Sequence, residues 1–156
     1  MKWIVSVLLA LVIHTIVWSQ PGVGSKAKDI RLPDTRGAVV PLSSLKGKVV
    51  LVDFWASWCG PCRRSMPALK QVYQKYKNKG LEIYGISLDN NRDDWKQALE
   101  EDRTPWVHVI DTEGKTAGQW AVNFIPSSFL LDKNGKILAV NAENEELDRL
   151  LKKMLN

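Results

Sequence analysis

Apolar residues along this chain fall into short runs whose period changes from one run to the next. KVVLVDFW, residues 48 to 55, is nearly unbroken and rich in β-branched residues, the mark of a strand covered on both faces inside a parallel sheet. LEIYGISL, 81 to 88, reads as a second strand, and a third follows at 106 to 110 in TPWVHVID. SSFLLD at 127 to 132 and KILAV at 136 to 140 are strands joined by the DKNG turn, which predicts an antiparallel hairpin. Near the start, short runs at 30 to 32 and 38 to 42 flank PDTRG and predict a smaller hairpin.

Between these runs the helical period takes over. Met66, Leu69, Val72, Tyr73 and Tyr76 predict a helix from about 61 to 77, kinked by Pro67 and stopped near Gly80. Asp89, Asn90 and Asn91 look like the cap of a helix that puts Trp95, Ala98 and Leu99 on one side. A weaker helix spans 114 to 122, and Trp120 and Phe124 are expected to line the core. Leu147, Leu150, Leu151, Met154 and Leu155 form the last amphipathic stripe, with Glu early and Lys late to suit the helix dipole. Strands alternating with helices and ending in a hairpin predict an α/β three-layer sandwich, a mixed sheet between layers of helices.

The first stretch, MKWIVSVLLALVIHTIVWSQ, changes the picture of where this domain works. Lys2 precedes an apolar run, and small residues at Val17 and Ser19 suit a cut after Ser19, so residues 1 to 19 read as a secretory signal peptide. The competing reading is an uncleaved anchor, but His14 and Thr15 interrupt a run already short of the roughly 20 residues a comfortable span needs. No cysteine lies near the cut, which excludes a lipid-modified N-terminus. Residues 20 to 26 read as a linker and 27 to 156 as one domain, which suits 156 residues of 45% hydrophobic content. The net charge of +5 is spread over solvated helix faces rather than clustered, so no nucleic-acid partner is expected.

The only two cysteines, Cys59 and Cys62, lie in DFWASWCGPCRRSMP. A disulfide closing a loop of about four residues removes little chain entropy, so the pair is a poor staple and a better redox centre. Cys59 falls where the strand gives way to the helix, and the unpaired N–H groups there favour a thiolate. That makes Cys59 the candidate nucleophile and Cys62, one turn further in, the candidate resolving thiol. The alternation of the strand points Asp53 inward with Val49 and Leu51, where burial raises a carboxyl toward neutrality and fits it for proton transfer.

VDFWASWCGPC resembles thioredoxin nearly residue for residue, and IPSSFLLDKNGKI, 125 to 137, resembles that family's second signature. The extra helix and strand at 90 to 110, the N-terminal hairpin and the export signal place the resemblance in the TlpA/ResA-like branch, over residues 27 to 156. It implies a thioredoxin-like fold in which Pro126 is a cis proline facing the cysteines and the Ile125 backbone pairs with a substrate strand. Trp55 would pack beneath the active-site loop, Trp58 would lie on the surface beside Cys59, and Gly60 and Pro61 would help to bind substrate. The resemblance implies no cofactor beyond the cysteine pair, disulfide-bearing client proteins, a membrane thiol-electron donor, a periplasmic monomer, and service in cytochrome c maturation or related thiol repair.

Two positions depart from the branch. Ser65 stands where a buried glutamate often tunes the thiols, and Asp53 stands where asparagine is common, so Asp53 is expected to take the proton-handling role. Gly60 and Pro61 between the cysteines favour a reductant of client disulfides, with the direction of electron flow left open. The alternative is a metal-handling protein of the same fold, although two cysteines and His108 make an incomplete zinc or copper site. His108 is otherwise read as a structural imidazole of the inserted strand.

Overall fold

The computed structural model describes residues 21–156, so the expected signal peptide and its cut after Ser19 lie outside the described residues. The chain enters through a hairpin of β1 (Arg31–Pro33) and β2 (Val39–Pro41), closed by Asp34, whose carboxylate accepts from the N–H groups of Arg36 and Ala38 at 2.9 Å each. Then come β3 (Val49–Trp55), α1 (Gly60–Tyr76), β4 (Leu81–Ser87), α2 (Arg92–Asp102) and β5 (Val107–Ile110). A short α3 (Lys115–Gln119), β6 (Ser127–Leu131), β7 (Ile137–Val140) and α4 (Asn144–Leu155) complete the domain. The mixed five-stranded sheet has the order β5-β4-β3-β6-β7, with β3, β4 and β5 parallel and β6 antiparallel to both its neighbours.

Every residue of β3 is buried, as expected of a central strand, and its alternation divides the core in two. Val49, Leu51 and Trp55 join Met66 and Tyr76 of α1, Trp95 of α2 and Leu147 and Leu151 of α4 on one face. Val50, Val52 and Phe54 join Ile30, Leu42, Ala117, Trp120 and Phe129 on the other, under the hairpin and α3. The hydrophobic stripe of α4 is therefore core, and its Glu145 and Glu146 in the first turn and Lys152 and Lys153 in the last complement the dipole.

Gly80 ends the α1 region with φ at +108°, a conformation that needs glycine's missing side chain. Part of the stretch expected as a linker lies along β7 instead: Gly24 N–H donates to the Ile137 carbonyl at 2.8 Å, and Ile137 N–H to the Ser25 carbonyl at 2.9 Å. Main-chain pairing of this kind leaves no side-chain pattern, which is why a run of small residues reads as a linker.

Phe124 departs from the sequence reading. Trp120 is buried against Phe54 and Phe129, as expected, but Phe124 is 62% exposed. A lone aromatic in an irregular loop has no period that assigns it a face.

Candidate active site

Strand β3 ends at Trp55 and α1 starts at Gly60, so the turn between them delivers Cys59 to the N-cap of a 17-residue helix. Cys59 and Cys62 form a disulfide with Cα atoms 5.3 Å apart, and the Cys62 N–H donates to Cys59 Sγ at 3.2 Å. No acidic residue occupies the first turn of α1, so nothing there offsets the positive end of the helix dipole. Cys59 and Cys62 are 4% and 1% exposed, so the residue at the helix cap is nearly as covered as the one a turn further in.

What the site presents to solvent is its surround. Trp58, beside Cys59, is 68% exposed, and Gly60 and Pro61 are exposed at the start of α1. The Ile125–Pro126 peptide bond is cis, with Ile125 half-buried and packed against the cluster that includes Cys59 and Cys62, Pro126 exposed and Phe124 just before. Trp55 lies in the core beneath, its ring edge-on to His108 with centroids 6.0 Å apart.

The loop carrying Cys59 is held by a residue whose role the sequence reading missed. Asp89 is not part of the cap of α2, which Asn91 alone provides by accepting from the Asp93 N–H at 2.8 Å. Its buried carboxylate instead accepts from the Ser57 N–H at 2.9 Å, the Ser57 hydroxyl at 2.5 Å and the Ser87 hydroxyl at 2.6 Å. Arg63 ties the same loop from the other side, donating to the Ser57 carbonyl at 3.3 Å while it pairs with Glu101 and Asp102 of α2. The clue was available in the chain: two acidic or amide residues are enough for a cap, so the third, at a strand end, had another use.

Asp53 points to the α1 face, as its alternation with Leu51 and Trp55 requires, and is 8% exposed. It makes no hydrogen bond to any described residue, and burial alone pushes its carboxyl up to about 7. Beside it opens a cavity of about 550 Å³ lined by Ser65, Phe124, Pro126, Ser128 and Leu147 among others. The carboxyl therefore borders a route between the sulfur-bearing helix and solvent. Ser65 is exposed and its hydroxyl donates to the Cys62 carbonyl at 2.7 Å, which uses its one proton within the helix.

His108 is held by Thr104, whose hydroxyl lies 2.7 Å from Nε2, and burial holds its imidazole down at about 4. An imidazole that stays neutral and faces ring neighbours agrees with a structural residue. Among the described residues no group of three or more His, Cys, Asp and Glu side chains is arranged to hold a metal ion.

The Redoxin family model matches residues 22–154. The chain is 34% identical over 135 residues to the thiol-disulfide oxidoreductase ResA of Bacillus thuringiensis (strain Al Hakam), covering 85% of this chain and 78% of that protein. To the ResA of Geobacillus kaustophilus (strain HTA426) it is 32% identical over 157 residues, covering 95% and 90%. Among solved structures, the thioredoxin domain of a thiol-disulfide oxidoreductase from Bacteroides vulgatus superposes with a TM-score of 0.80 at 36% identity, over 86% of this chain and 99% of that one. Matching relatives and a cysteine pair in disulfide contact at a helix N-terminus lead to one conclusion: the chain belongs to the Redoxin family and is a ResA-like thiol-disulfide oxidoreductase.

Proposed function

We propose that the protein is an exported reductant of disulfides in client proteins. In the reduced enzyme Cys59 is the attacking thiolate, favoured by its N-cap position. It attacks one sulfur of the client disulfide, forming a mixed disulfide and releasing the first client thiolate. Cys62 then gives its proton to the Asp53 carboxylate and attacks the Cys59 sulfur. The second client thiolate leaves, the client has gained two electrons, and the enzyme holds the Cys59–Cys62 disulfide. A membrane thiol donor returns two electrons to the pair, and Asp53 loses its proton toward the cavity beside it.

The client segment lies extended along Ile125 and Pro126, whose main chain offers it strand-like hydrogen bonds, while Trp58, Gly60 and Pro61 contact it from the α1 side. Residues 1 to 19 supply the export signal in this reading, the mature domain acts as a monomer, and its clients are proteins of cytochrome c maturation or related thiol repair.

The observation that carries the proposal is the disulfide at the N-terminus of α1, with the buried Asp53 carboxyl on the face of β3 that α1 covers. The test is reduction of insulin by the mature protein with dithiothreitol. The parent accelerates insulin precipitation and Cys59→Ser does not; a parent rate at background overturns the reductase reading. A redox titration of the pair then decides direction, since a strongly oxidising potential means a disulfide donor.

A further inference from the structure

Asp53, Gly85 and His108 sit side by side across three neighbouring strands: Asp53 of β3 pairs with Gly85 of β4, and Gly85 pairs with His108 of β5. Side chains at paired positions share a face, so all three positions look toward α1. The middle one has no side chain. A Cβ built on Gly85 would meet His108 Nδ1 at 3.0 Å and Trp106 Nε1 at 3.3 Å, so both nitrogens lean over the middle strand into the space glycine leaves.

Neither nitrogen has a hydrogen-bond partner among the described residues, and both are buried. Asp53, on the other side of the same notch, has none either. Two strand spacings put the Cα atoms of Asp53 and His108 about 10 Å apart, and the His108 ring already covers the half of that gap above Gly85. Half of the spacing, about 5 Å, is then left between the ring and β3, the span that one water bridging two polar groups takes. A buried water is held where two to four polar partners converge, and here an indole N–H, an imidazole nitrogen and a carboxyl do so.

We propose that Asp53, His108 and Trp106 hold one internal water above Gly85, and that through it His108 is a positioning residue that sets the proton affinity of Asp53. The inference rests on the proton-accepting role of Asp53 proposed above. When Cys62 gives its proton to Asp53, the water turns from donating to the carboxylate to accepting from the carboxylic acid. Its other proton then points to Nδ1, so no atom is gained or lost and only the hydrogen bonds reverse. Trp106 Nε1 donates throughout.

Apart from the two cysteines, the titratable groups on this face leave the pair alone. Cys59 and Cys62 of α1 are the reaction partners, and Tyr73 of α1 donates its hydroxyl to Glu82 of β4 at 3.2 Å. Glu143, ahead of α4, lines the cavity rim and is exposed. Helix α2 brings Trp95, Ala98 and Leu99 to the face, none of which titrates.

The experiment is a carboxyl-carbon NMR titration of Asp53 in the parent, His108→Phe, His108→Gln and Gly85→Ala, with insulin reduction followed against pH. His108→Phe removes the acceptor and Gly85→Ala fills the notch with a methyl group. Both strip Asp53 of its water and raise its midpoint by about one pH unit, while His108→Gln keeps a polar group and stays nearer the parent. A variant that merely loosened the core would hydrate Asp53 and lower the midpoint, so the sign separates the two explanations. Midpoints unmoved or lowered in both His108→Phe and Gly85→Ala overturn the inference; should His108→Phe not fold, Gly85→Ala alone decides. If instead insulin reduction is indifferent to Asp53→Asn while the midpoints rise, the proton role of Asp53 fails and the water link stands.

Discussion

Replacing Asp53 by Asn removes an ionisable group that the fold holds in the wrong place for its charge. Its carboxyl titrates at about 7 in the folded protein against 3.8 when exposed, raised by desolvation. Between those two values the folded state keeps a proton that the unfolded state has lost. Stability therefore falls as pH rises through this window, by up to about 1.4 kcal/mol per pH unit, and the loss is complete above pH 7. About three pH units make this on the order of 4 kcal/mol, an upper bound because the neighbouring cavity lets some solvent reach the carboxyl.

His108 works the other way. Its folded value of about 4 against 6.5 means that the unfolded state binds the extra proton between those limits, so stability rises with pH by on the order of 3 kcal/mol across them. In the parent the two slopes nearly cancel between about pH 4 and 6.5. Asp53→Asn takes away only the falling slope. The variant should match the parent near pH 4, gain on it steadily, and exceed it by a few kcal/mol at pH 8.

Urea unfolding of the oxidised protein at half-unit steps from pH 4 to 9 measures this, provided the slope of the transition is the same in both proteins. Over the same range Asp53→Asn should slow thiol exchange near neutral pH. Stability curves for parent and variant that run parallel, together with unchanged exchange rates from pH 6 to 9, would refute the assignment of a buried, proton-accepting Asp53.

Two further outcomes follow from the site. Asp89→Ala leaves the Ser57 N–H and the hydroxyls of Ser57 and Ser87 without their charged acceptor; a loss of about 3 kcal/mol in urea unfolding and faster exchange of the Ser57 amide are expected. Trp58→Ala combined with Phe124→Ala removes the exposed aromatics beside Cys59 and Pro126, which should raise KM for a protein substrate several-fold in steady-state insulin reduction while a small disulfide is reduced at the parent rate.

The alternation of β3 is the reason so much of the site was readable in advance. An unbroken apolar run has a determined face at every position once one position is known, so Asp53, flanked by Leu51 and Trp55, had to look toward α1. The strand-to-helix transition was readable for the same kind of reason, because the period changes from two to 3.6 across Cys59. Period assigns a face but never a partner. Asp89 meets Ser57 across 32 residues of chain, and Gly85 meets His108 only because β4 and β5 adopt one register. A shift of that register by one residue would turn His108 to the opposite face. Gly85, in particular, reads in the sequence as a weak strand residue, and its reason lies on the neighbouring strand: the notch it leaves is occupied from the side by two rings that no local pattern places there. The parts of this site legible from the sequence are thus those set by one element's own geometry, and the polar contacts that hold its loop and border its carboxyl are set by how elements are registered against one another.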